Sequence, residues 1–153
     1  MHEASCHEDN SFVTLTYKEA PQDLYYPDFQ AFMRRVRKRF KGVSFYMSGE
    51  YGGKNGRPHF HALLFGVGFG DKISLGTVSS GSKLFSSGTL SELWGHGFAS
   101  VGDVTYESAG YVARYVYKKM TGGSVYEGSV GEFSRMSLRP AIGRRWLDKL
   151  GGS

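Results

Sequence analysis

Two runs of alternating apolar residues, about Val43 to Tyr51 and Pro58 to Phe65, flank the segment Gly52-Gly53-Lys54-Asn55-Gly56-Arg57, and this pattern restricts the fold more than any other. An Asn-Gly pair between two such runs reads as the turn of an antiparallel hairpin, because the favoured two-residue turn needs positive φ at both central positions. A lone hairpin is marginal in water, so further strands and a covering helix are required.

The rest of the chain supplies them. Phe12 to Tyr17 alternates with period two and is rich in β-branched residues, as a half-buried strand does. From Pro27 to Lys41 the apolar residues Phe29, Phe32, Met33, Val36 and Phe40 recur at helical spacing, with Asp28 near the start and Gly42 just past the end. Residues Gly66 to Gly88, rich in Gly and Ser, read as a long mobile connection. Thr89 to Trp94 reads as a short helix and Gly97 to Thr105 as a strand. Tyr106 to Met120 then reads as a helix ended by Thr121-Gly122-Gly123, and a last helix starts near Pro140. The expected architecture is α+β, one antiparallel sheet with helices mainly on one face.

With 153 residues, 40% of them hydrophobic, the chain has material for one core, so a single domain over 1–153 is expected. Cys6 is the only cysteine, which excludes an internal disulfide framework, and no apolar stretch is long enough to span a bilayer. A cytoplasmic setting without a membrane partner follows. The net charge of +5 is concentrated: Arg34, Arg35, Arg37, Lys38, Arg39 and Lys41 lie close together on the polar face of the first helix. Such a face is either merely solvated or a phosphate-binding surface, in which case Arg34, Arg35, Arg37, Lys38 and Lys41 are the DNA-contacting residues.

His59-Phe60-His61 falls in the second hairpin strand, where side chains at i and i+2 project from the same face. The two imidazoles converge while Phe60 points into the core. With Asn55 and Gly56 central in the turn, Lys54 opposes Arg57 and Glu50 opposes His61, leaving His59 as its diagonal neighbour. Directly opposed Cβ atoms are about 4.5–5.5 Å apart, near enough for a carboxylate and an imidazole to share one ion. Two histidines and one carboxylate leave coordination positions that phosphate oxygens can fill. A His-x-His pair alone is as readily a solvated strand feature; Glu50 in register makes it a ligand set. His2, His7 and His96 are expected to be structural or solvated.

On the helix from Tyr106, positions Tyr111, Tyr115 and Lys118 form one stripe, separate from an apolar stripe of Ala109, Val112, Ala113, Val116 and Met120. That helix has a packing face without its tyrosines, which leaves Tyr111 and Tyr115 for chemistry. A phenol oxygen can attack phosphorus to form a phosphotyrosine, and with an ordinary pKa of about 10 it needs a cation nearby to hold the developing charge.

These residues resemble a known family. Gly56-Arg57-Pro58-His59-Phe60-His61, followed by Ala62 to Gly66, resembles the two-histidine motif of HUH endonucleases. Tyr111-Val112-Ala113-Arg114-Tyr115-Val116-Tyr117-Lys118-Lys119 resembles the paired-tyrosine motif of microvirus replication initiators. Phe12 to Tyr17 resembles the family's first motif, and Met136 to Gly143 its C-terminal segment. The resemblance implies a central five-stranded antiparallel sheet of the RRM-like kind. It also implies Mg²⁺ or Mn²⁺ held by Glu50, His59 and His61, and catalysis by Tyr111, Tyr115 and Lys118, with Arg57, Arg114 and Lys119 beside the motifs on DNA.

The implied activity nicks single-stranded origin DNA for rolling-circle replication, leaving a 5′-phosphotyrosine and a 3′-hydroxyl for host polymerase, with a host helicase as further partner, in the bacterial cytoplasm. Family members usually extend further at both ends, so this chain is expected to correspond to a nuclease core. The rival readings are a non-catalytic single-strand-binding module, a transposase or relaxase with the same histidine motif, and a metal-dependent hydrolase using water. The first leaves the glutamate register unexplained, and the second often carries one tyrosine rather than two.

Overall fold

A computed structural model describes residues 9–52, 56–79, 81–104, 110 and 131–137. In chain order these form β1 (Asn10–Leu15), α1 (Tyr26–Arg39), β2 (Ser44–Gly52), β3 (Arg57–Phe65), β4 (Lys72–Thr77), β5 (Lys83–Ser87), α2 (Gly88–Trp94), β6 (Ala99–Asp103) and β7 (Phe133–Met136). The strands make one sheet in the order β4-β5-β6-β1-β3-β2-β7, each neighbouring pair antiparallel.

Alternation divides this sheet into two faces. Val13 and Leu15 of β1, Met47 of β2, Phe60, Ala62 and Leu64 of β3, and Ala99 and Val101 of β6 lie on one face and are buried in one core. Both described helices cover that face, as expected. α1 contributes Phe29, Phe32, Met33 and Val36, and α2 contributes Leu90, Leu93 and Trp94. Phe29 sits 5.7 Å from Phe60, and Phe32 and Phe60 both meet Trp94 edge-on. Each fully buried side chain of this kind stabilises the fold by about 1.5–3 kcal/mol.

The helix ends follow local chemistry. Pro27 opens α1 with Asp28 in its first turn, and Arg37, Lys38 and Arg39 occupy its last, matching the helix dipole at both ends. The Ser87 hydroxyl accepts from the Leu90 N–H at 3.1 Å to cap α2, which ends at Gly95 in the left-handed region.

Three expectations need correction. The described residues hold seven strands rather than five, because 66–88 is no bare connection: it contains the hairpin β4–β5. Every residue of β4 is exposed, so neither face carries a burial alternation, and an irregularity between Ser74 and Gly76 breaks its pairing. β7 pairs with β2 at the far edge, where no strand was expected.

The third concerns the hairpin register. Arg57 opposes Gly52, not Lys54, so Glu50 opposes His59 and Ser48 opposes His61. Pairing stops two residues earlier than a two-residue turn requires, leaving 53–56 as the connection, with Gly56 at φ +60°. A shift of two preserves the face of every side chain, whereas a shift of one would have reversed it. The helix read over Tyr106 to Met120 and the one near Pro140 lie outside the described residues, as do Cys6, His2 and His7.

Candidate metal centre

Opposite the helices, the other sheet face presents Thr14, Ser48, Glu50, His59 and His61. Glu50 lies directly across from His59 and diagonally from His61, and the candidate ligand atoms of the three all lie within 4.8 Å of one another. All three are half-buried, so a hydrated ion can reach them. The imidazole rings are 4.8 Å apart and nearly perpendicular, which aims two nitrogens at a common point rather than stacking the rings.

Each ligand is held by a neighbour. The buried Ser48 hydroxyl donates to Glu50 Oε2 at 3.1 Å. His59 Nδ1 lies 3.3 Å from the Arg57 carbonyl; a carbonyl only accepts, so this contact places the proton on Nδ1 and the lone pair on Nε2. His61 Nδ1 lies 3.0 Å from Thr14 Oγ1, and its ring stacks on Phe12 at 5.6 Å. A Cβ at Gly52 would come within 2.5 Å of His59 Cε1, so the ring occupies space that any larger residue there would take.

Burial pushes the His61 pKa down to about 4; the neighbouring His59 acts in the same direction and Glu50 against it. The ring is therefore neutral near pH 7, the state that binds a metal. Next to the ligands runs a groove of about 450 Å³, lined by Thr14, Thr16, Gly52, Arg57, His59 and His61 among others. Arg57 is exposed at its edge and donates to the Tyr17 carbonyl at 2.7 Å, tying the start of β3 to the end of β1.

Other sequence-predicted residues lie elsewhere. α1 packs on the far face of the sheet, so Arg34, Arg35, Arg37, Lys38 and Lys41 are not gathered around the metal cluster. Arg35 donates to the carbonyls of Leu93 and Trp94 at the end of α2, and Arg37 to the Val43 carbonyl. Arg34, Lys38 and Lys41 are exposed. His96 lies 3.5 Å from Asp28 and packs against Tyr17 and Trp94, in keeping with a structural role.

Tyr17 is not a nucleophile: burial raises its pKa, and its hydroxyl donates to Asp28 at 2.8 Å, which adds to the shift. Tyr111, Arg114, Tyr115, Lys118 and Lys119 lie outside the described residues. Thr14 and Ser48 were not singled out in the sequence. Their signal exists only once the registers of β1 and β2 against β3 are known.

These features define an α+β protein with a candidate divalent-metal site on the uncovered face of an antiparallel sheet. The chain belongs to the replication-associated protein ORF2 family, whose model matches residues 10–120. It is 33% identical over 160 residues to replication-associated protein VP4 of Bdellovibrio phage phiMH2K, an alignment covering 97% of this chain and 51% of that protein. It is 35% identical over 126 residues to replication-associated protein ORF2 of Spiroplasma virus 4, covering 72% of this chain and 39% of the relative. Replication-associated protein ORF4 of Chlamydia phage 1 is also 35% identical, over 133 residues covering 79% of this chain and 33% of the relative.

The resemblance to microvirus replication proteins is thus borne out, and the chain spans about half or less of the length of these relatives. No solved structure matches it. Among the described residues, no helix is long and apolar enough to cross a membrane.

Proposed function

We propose that this chain is the nicking domain of a rolling-circle replication initiator, a single unit over 1–153 that cuts single-stranded origin DNA through a tyrosine nucleophile. One observation carries the reading: Glu50, His59 and His61 converge on one face of the sheet, in a member of a replication-associated family. Two imidazoles and a carboxylate suit Mg²⁺ or Mn²⁺, and an ion bound there would polarise a phosphate oxygen beside the scissile bond.

The chain's own groups carry the steps. Tyr115 or Tyr111 attacks phosphorus through its phenol oxygen. The new bond joins that oxygen to phosphorus while the bond to the 3′ oxygen breaks, giving a 5′-phosphotyrosine and, after proton uptake, a 3′-hydroxyl. The phenol gives up its proton in this step, and Lys118, one turn beyond Tyr115, steadies the charge on the attacking oxygen. Two tyrosines permit alternation, one holding the displaced 5′ end while the other attacks the regenerated origin.

Arg57 at the groove edge, with Arg114 and Lys119, contacts DNA phosphates. Of the α1 cluster, Arg34, Lys38 and Lys41 are the best suited to add to these contacts, because Arg35 and Arg37 already bond backbone carbonyls. Host polymerase and helicase act on the product inside the bacterial cell.

Covalent trapping tests this reading. A labelled single-stranded oligonucleotide spanning the origin, incubated with the protein and Mn²⁺, is expected to leave label on the denatured protein. His61→Ala and the Tyr111→Phe, Tyr115→Phe double variant are expected to leave none. Cleavage without adduct would point to water as nucleophile, and binding without cleavage to a single-strand-binding module.

A further inference from the structure

We propose that Thr14 is a positioning residue for the metal centre, selecting the tautomer and ring orientation with which His61 meets an ion. The inference rests on the metal reading above and goes beyond it by giving the first strand of the sheet a part in the site.

The geometry follows from register. Thr14 on β1 stands directly opposite His61 on β3, and directly opposed Cβ atoms are about 4.5–5.5 Å apart, within reach of a short hydroxyl. The hydroxyl oxygen lies 3.0 Å from Nδ1. On its other side His61 faces Ser48 of β2, but that hydroxyl is directed to Glu50 Oε2. The two hydroxyls flanking His61 therefore serve different ligands, and Thr14 is the one that holds the imidazole.

An imidazole on a strand has two nearly equivalent χ2 states, related by a half-turn that exchanges Nδ1 with Cδ2 and Nε2 with Cε1. Only one puts Nδ1 against the Thr14 oxygen. Stacking of Phe12 on the same ring at 5.6 Å and 21° restricts its tilt but does not distinguish the two edges. The hydroxyl makes that distinction. When it accepts from Nδ1–H, the Nε2 lone pair is left to point at the ion; in the other tautomer Nε2 carries the proton and cannot ligate. Phe12 and Thr14 are two residues apart on β1 and share a face, so a single short strand fixes the ring both in plane and at its edge.

Metal affinity in the absence of DNA gives the test, together with the state of the His61 ring. Titrating the wild type, Thr14→Val and Thr14→Ser with Mn²⁺ is expected to show binding about 10–100-fold weaker in the valine variant and near wild type in the serine variant, which keeps a hydroxyl. Long-range proton–nitrogen correlation on the metal-free wild type near pH 7 is expected to find the His61 proton on Nδ1. Equal affinity in wild type and Thr14→Val, or a proton on Nε2 in the wild type, would overturn the proposal while leaving the metal site intact. If the valine variant does not fold, the wild-type nitrogen spectrum alone decides. Failure of the wild type to bind Mn²⁺ would instead overturn the metal reading beneath it.

Discussion

His61 combines two demands, to stay neutral and to stay half-buried, and both have consequences for the metal-free protein. An unfolded histidine takes up its proton near pH 6.5, while the folded ring resists protonation until about pH 4. Between those values the unfolded chain binds more protons, so stability present above pH 6.5 is lost as the pH falls through that window. Urea melts of chelator-treated protein should show that decline, and His61→Asn should flatten it; a level wild-type profile would contradict the shift. Among the tyrosines, Tyr115→Phe is expected to lose most adduct in a single-turnover assay, whereas Tyr111→Phe keeps the first cut and fails in strand transfer. Equal loss in both would remove that order. At this scale the sequence revealed which three residues gather, because i and i+2 on a strand must share a face. It paired Glu50 with the wrong histidine, because that pairing depends on where the turn ends its strands.

Strands and helices that bury an apolar face were legible, since burial imposes the period that pattern reading detects. α1 begins and ends within two residues of its expected limits, and α2 begins one residue from its own. β4 buries nothing, and β7, at four residues, is too short for an alternation to stand out. The basic helix α1 shows why charge alone is ambiguous. Arg35 spends its guanidinium on the last carbonyls of α2, so Arg35→Ala should destabilise the fold by about 1.5–3 kcal/mol in urea melts, the range for hydrogen bonds from a charged group. Neutralising Arg34 and Lys38 together should leave stability within about 0.5 kcal/mol of wild type. If their face contacts phosphates, the same pair should flatten the dependence of DNA affinity on salt. An unchanged slope would mark that face as merely solvated.

Across the whole molecule, a ligand that binds only the folded state stabilises all of it. Mn²⁺ at a hundred times its dissociation constant should add about 2.7 kcal/mol, raising Tm by roughly 5–10 °C in a chain of this size, and chelation should reverse the gain. No change in Tm would argue against an ion at Glu50, His59 and His61. The two faces of the sheet also have a genetic consequence. In β3, Phe60 and Ala62 point to the core while His59 and His61 point to the site, so one short stretch of codons serves both. A saturation scan scoring abundance and phage replication separately should therefore oscillate along β3. Changes at 60 and 62 should deplete the protein itself, and changes at 59 and 61 should leave ample protein with little replication. The oscillation should fade towards Leu63 and Phe65, where a small second apolar cluster makes the site face count for abundance as well.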